Sequence, residues 1–152
     1  MRLAVAGAIL LMVSGMTVAN ARSKVCYRHA EAVADQAIRY TTEVMVMSDT
    51  CRNDIYGRFA LRNRRQIIAF QEILKRHYRR IAGRHAQARL DGFMTHIANE
   101  EALRTATQDM THVCAVATRF LSVANTLSGS SFRRYVEHQA RMHDHDYRFC
   151  KK

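Results

Sequence analysis

The stretch IYGRFALRNRRQIIAFQEILKRHYRRI, residues 55 to 81, decides the fold class. At about 100° per residue, Ile55, Phe59, Phe70, Ile73, Leu74, His77 and Ile81 gather on one side of a helix, and Arg58, Arg62, Arg65, Arg76 and Arg80 flank them. A helix with one apolar stripe must bury it against other elements, so the segment predicts the central rod of a helical bundle. Ala82-Gly83 ends it, because glycine accepts the left-handed conformation that closes a helix.

Outward from this rod the same period recurs. Cys26, Ala30, Val33, Ala37, Tyr40, Val44 and Met47 form a seam that predicts a first helix from Lys24 to about Met47, with Arg28, Glu31, Asp35 and Arg39 outside it. The polar run Ser48 to Asp54 separates it from the rod. A shorter helix is predicted from Arg84 to about Ala98, burying Ala86, Leu90, Phe93 and Ile97. Asn99-Glu100-Glu101 then reads as a fresh helix start, with a fourth helix running to Leu127 through Leu103, Ala106, Met110, Val113, Ala117, Phe120 and Ala124. Ser128-Gly129-Ser130-Ser131 breaks the chain again, and a fifth helix is expected from Phe132 to about Phe149, with Val136, Ala140, His143 and Tyr147 inward. There is no proline and strand signals are scarce. The expected fold is all-α, an antiparallel four- to five-helix bundle.

The first 21 residues, MRLAVAGAILLMVSGMTVANA, carry one arginine, a short apolar run and small residues ahead of Arg22. This is the anatomy of a secretory signal peptide cleaved after Ala21, since a membrane span takes about 20 apolar residues. The remaining chain, 22-152, is the size of one domain. Export to the periplasm or beyond gives the cysteines a meaning: Cys26, Cys51, Cys114 and Cys150 are even in number and none forms a CxxC pair, which predicts two structural disulfides. In an up-and-down bundle Cys26 meets Cys150 at one end and Cys51 reaches Cys114 from the other. Because Cys114 falls deep in the expected fourth helix, the swapped pairing of Cys26 with Cys114 and Cys51 with Cys150 stays open.

Charge is concentrated. From Arg58 to Arg89 there are ten Lys and Arg and one acid, Glu72. A field of this kind attracts polyanions or acidic partners. In an exported protein, anionic lipid or polysaccharide of the envelope, or an acidic protein, is the expected partner of a face made of Arg58, Arg62, Arg65, Arg76, Arg79, Arg80 and Arg84; nucleic acid is not. The plain alternative is a solvated face that keeps the protein soluble.

Two other chemistries are weighed. On a helix, His138, Met142 and His145 share one exposed side at i, i+4 and i+7, a donor set that suits copper or zinc and makes a periplasmic metal-binding protein the second reading. His143-Asp144 with Tyr147-Arg148 resembles the HD-x-x-YR stretch of the secreted prokaryotic type of phospholipase A2, and Asp109-Met110 before Val113-Cys114 is similar to its D-M-x-x-V-C stretch. The resemblance implies a small hydrolase in which His143 activates water and Asp144 helps hold calcium. The two fragments stand in reverse order here, Ala140 occupies the place of a cysteine, and no Gly-rich calcium loop is present. No nucleophile elbow, zinc-protease, phosphate-loop, dinucleotide or haem-attachment motif occurs. The expectation is a non-enzymatic binding protein with no cofactor.

Overall fold

The computed structural model describes residues 26–151, so the leader and its cleavage point lie outside the described residues. Five α-helices follow one another: α1 His29–Thr50, α2 Ile55–Ala82, α3 Ala86–Ala106, α4 Met110–Thr126 and α5 Ser130–Met142. Single 3-10 turns sit at Gly83–His85 and Asp144–Asp146. The all-α, disulfide-stapled bundle is the fold observed, and both disulfides pair as the bundle geometry predicts, Cys26 with Cys150 and Cys51 with Cys114.

The pairing of side chains along α1 gives the topology. Down α1 from its C-terminal end, Cys51 bonds Cys114, Tyr40 meets Phe120, Phe132 and Tyr135, Gln36 and Asp35 bond Tyr147, and Cys26 bonds Cys150. Residue numbers fall on one side and rise on the other, so α4 and α5 form one long descending rod, broken once and antiparallel to α1. With α2 and α3 they complete a four-rod bundle.

Asn63 holds the break in that rod. It is fully buried in α2, its amide donates to the carbonyls of Leu127 and Phe59 (both 3.0 Å), and its Oδ1 accepts from the Gly129 amide at 2.9 Å. Gly129 adopts φ 50°, a conformation costly for residues with a Cβ, and thereby turns α4 into α5.

Several sequence expectations change. The central element is α1, not α2: α1 packs against all four other helices. Its second face is therefore buried too, and Glu31 and Asp35, expected outside, are 6% and 1% exposed. Ala30, expected in the seam, is exposed. The start predicted at Asn99 does not exist. Helix α3 runs through it to Ala106, because Glu101 turns inward to pair with Arg104, and Asp109 is the true cap, with extended backbone and Oδ1 accepting from the His112 amide at 2.9 Å. Leu103, Ala106 and Met110 are consequently exposed, and α4 buries Val113, Ala117, Leu121 and Ala124. Cys114 then lies little more than one turn into α4, which is why Cys51 reaches it. Finally, α5 stops at Met142, and the chain returns as an extended strap whose Phe149 bridges Tyr27.

Candidate functional site

The outer face of α2 follows from its sequence. The residues that turn inward are Phe59, Asn63, Phe70, Leu74, His77 and Tyr78, which leaves the arginines on the opposite side. Of the seven proposed for docking, the structure gives four to local partners. Arg58 pairs with Asp54, Arg62 donates from Nη2 to the Asn125 carbonyl at 2.7 Å, and Arg84 leans on His85. Arg80 is structural: its Nη2 donates to Glu31 Oε2 at 2.6 Å and to the Cys26 carbonyl at 2.9 Å. Glu31 also accepts from the Arg28 amide at 2.8 Å and faces His77 Nδ1 at 2.9 Å. Burial raises the Glu31 carboxyl, but these hydrogen bonds and the charge of Arg80 outweigh it and hold the group below its ordinary range.

Arg65, Arg76 and Arg79 remain. They are exposed, lie within about 60° of one another around the helix, and among the described residues no carboxylate comes within 4.0 Å of them. Two large apolar side chains stand among them, Leu61 at 78% and Ile68 at 48% exposed.

The second polar site escaped the sequence reading. A cleft of about 590 Å³ opens between α1, α3 and the C-terminal strap. Asp35 forms its floor, accepting from Arg39 Nε at 2.7 Å and from the Tyr147 hydroxyl at 2.9 Å. Gln36 donates to the same hydroxyl at 2.9 Å. Burial, and then the negative charge of Asp35, push the Tyr147 and Tyr27 phenols well above their ordinary range. On the α3 wall, one nitrogen of Arg104 serves two carboxylates, Glu101 and, at 3.3 Å, Glu43. Burial and the neighbouring charge of Glu101 raise the Glu43 carboxyl. Glu101 Oε1 is buried with no hydrogen-bond partner among the described residues.

The i, i+4 pair Asp35/Arg39 and the i, i+3 pair Glu101/Arg104 were visible as charge spacings, but such pairs ordinarily sit in solvent. Only the double burial of α1 turns them into a site.

The metal donors His138, Met142 and His145 are all exposed, and because α5 ends at Met142, His145 does not continue the helical face that would have aligned it with them. Among the described residues no group of three His, Cys, Asp or Glu side chains is placed to hold a metal ion. His143, expected inward, is exposed for the same reason; its Nδ1 lies 3.3 Å from Asp146 at the rim of the cleft, and Asp144 opens the 3-10 turn. No helix of the described residues is long and apolar enough to cross a membrane. No protein-family model, curated protein or solved structure matches the chain.

Proposed function

We propose that the chain is an exported, non-enzymatic binding protein that docks through the outer face of α2 onto an anionic component of the cell envelope. The observation that carries this reading is the set Arg65, Arg76 and Arg79, three exposed guanidiniums with no carboxylate of their own among the described residues. A face built only for solubility interleaves both signs of charge. Guanidiniums suit phosphate and carboxylate because their paired N–H groups match two oxygens at once. The exposed Leu61 and Ile68 favour lipid headgroups over a purely polar polymer, since apolar side chains gain by entering the acyl boundary beside the charges. Two disulfides accord with an oxidising compartment, the periplasm or the exterior.

The test is flotation of the mature protein with vesicles of neutral lipid and with vesicles containing a third anionic lipid. Each arginine near such a surface contributes about 1 kcal/mol, so Arg65→Glu, Arg76→Glu, Arg79→Glu should weaken binding by at least about 100-fold. Arg80 is left intact because it belongs to the fold. Binding to neutral and anionic vesicles alike, or binding that survives the triple reversal, would remove the reading. A partner captured from the envelope in place of lipid, and lost in the same variant, would make that partner an acidic protein or polysaccharide.

A further inference from the structure

We infer that the cleft between α1, α3 and the C-terminal strap is a binding site for a small organic cation, an amine or polyamine. Five carboxylates line it, those of Asp35, Glu43, Glu100, Glu101 and Asp146, against two guanidiniums, Arg39 and Arg104. This deficit of positive charge stands inside a protein whose formal net charge is +11, so neither general acidity nor the surroundings account for it.

The resident cations are also spoken for unequally. Arg39 satisfies Asp35, which in addition holds the Tyr147 hydroxyl. Arg104 has to divide one nitrogen between Glu101 and Glu43. What remains is Glu101 Oε1, on a residue only 9% exposed that lines the cleft and pairs with Arg104 through its other oxygen; among the described residues Oε1 has no hydrogen-bond partner. Buried carboxylate oxygens are nearly always satisfied, and the donors that satisfy them are N–H or O–H groups.

A bare metal ion suits the cleft poorly. Its acids are spread over α1, α3 and the strap, and among the described residues they do not converge into a group of three. The volume, about 590 Å³, is that of a small-molecule site. Tyr27 and Tyr147, whose ring centroids are 5.1 Å apart, form an aromatic side to it, and aromatic faces attract ammonium groups. An anionic ligand would meet five carboxylates against two guanidiniums, with His96, His143 and His145 beside the rim acids. An ammonium relieves the repulsion between Glu101 and Glu43 and donates to Glu101 Oε1 once that carboxylate turns toward the cleft, and a second takes the place of His96, His143 and His145 beside Glu100 and Asp146 at the rim.

Calorimetric titration of the mature, oxidised protein with 1,5-diaminopentane and with spermidine tests the inference, with glutarate as the anionic control. The expected result is saturable binding of one or both amines and none of glutarate. Glu101→Gln should weaken it at least tenfold. Since Glu101 also pairs with Arg104, the exposed rim residues Glu100 and Asp146 provide a check independent of folding: Glu100→Gln with Asp146→Asn should weaken spermidine more than threefold, while Glu72→Gln on α2 leaves it unchanged. Absence of saturable amine binding, equal weakening by Glu72→Gln, or tighter binding of glutarate would overturn it. None of these outcomes depends on whether the α2 face binds vesicles.

Discussion

Replacing Arg80 should unfold the protein more readily, although the sequence groups it with the arginines free to dock. Arg80→Ala removes two charge-assisted hydrogen bonds, to Glu31 Oε2 at 2.6 Å and to the Cys26 carbonyl at 2.9 Å. Bonds of that type contribute about 1.5–3 kcal/mol each. Two features reduce the total: the Arg80 side chain is 31% exposed, and Glu31 keeps the Arg28 amide and His77 as partners, so its carboxylate is not orphaned. The net expectation is a loss of about 2 kcal/mol, or about 8 °C in Tm for a domain of this size. Arg76→Ala, on the same helix but with no carboxylate partner among the described residues, should stay within about 0.5 kcal/mol of wild type. Urea denaturation with both disulfides intact measures the difference, and a double-mutant cycle with Glu31→Gln should return a coupling of about 1–2 kcal/mol. Equal midpoints for Arg80→Ala and Arg76→Ala would refute the reasoning, and would return Arg80 to the docking face.

Three further outcomes can be checked on the same apparatus. Cys51→Ser, Cys114→Ser opens a loop of sequence separation 63 and should lower the unfolding free energy by about 4 kcal/mol, mainly by freeing the unfolded chain. Asn63→Ala leaves the Leu127 carbonyl and the Gly129 amide without their partner, and should cost about 3 kcal/mol, visible as a lower urea midpoint. Glu31 has a folded-state pKa below its ordinary 4.5, so its contribution is present above that value and is lost as the pH falls through the folded pKa. The acid limb of the stability curve below about pH 4.5 should therefore be shallower in Glu31→Gln than in wild type.

The helices were legible because an apolar stripe at helical period suits neither a strand, which alternates every second residue, nor a solvated loop. The disulfide pairing followed once the ends of α1 were placed. Boundaries failed where two segments compete to break a helix. Asn99-Glu100-Glu101 and Thr107-Gln108-Asp109 are both polar, and the sequence offers no measure of which one turns its acid inward. The centre of the bundle was misplaced for a related reason. Helix α2 has the cleaner contrast between faces because it lies at the surface, whereas α1 mixes Glu31, Asp35, Thr41 and Thr42 with its apolar residues and buries them all. Buried polar residues on a helix enclosed by neighbours look like solvent-facing ones until their partners are known. Those partners, Arg80, His77 and Tyr147, lie from 46 to 112 residues away in sequence. The acidic cleft was missed with them, and so was the division of the arginines into docking and structural members.

The Cys26–Cys150 bond has a different job from its counterpart, because it fastens the strap that forms one wall of the cleft. Beyond the disulfide, the strap is held by two backbone bonds, Tyr27 to the Arg148 carbonyl at 2.8 Å and Cys150 to the Tyr27 carbonyl at 3.0 Å, and by the Tyr147 hydroxyl bonds to Asp35 and Gln36. With the turn bonds from the Asp146 amide to the His143 carbonyl and from the Tyr147 amide to the Asp144 carbonyl, both 3.1 Å, six hydrogen bonds contribute about 6 kcal/mol net. Ordering the chain from Asp144 to Cys150 costs about 7–14 kcal/mol of backbone entropy. Partial burial of the Tyr147 ring adds about 2 kcal/mol, which does not close the gap at the middle of that range. In Cys26→Ser, Cys150→Ser the strap should therefore lift away while the five helices remain folded. Tyr147 reports it directly. Its phenol is held above the ordinary value of 10.0 first by burial and then by Asp35, and release removes both causes. Alkaline absorbance titration, with Tyr147→Phe in each background to assign the step, should show one tyrosine returning toward 10.0 in the serine variant only. The same variant should lose affinity for amines, since Asp146 and Tyr147 leave the cleft together. A Tyr147 that titrates as high without the disulfide as with it would show that the strap is held by its own contacts, and the entropy assigned to its ordering would be too large.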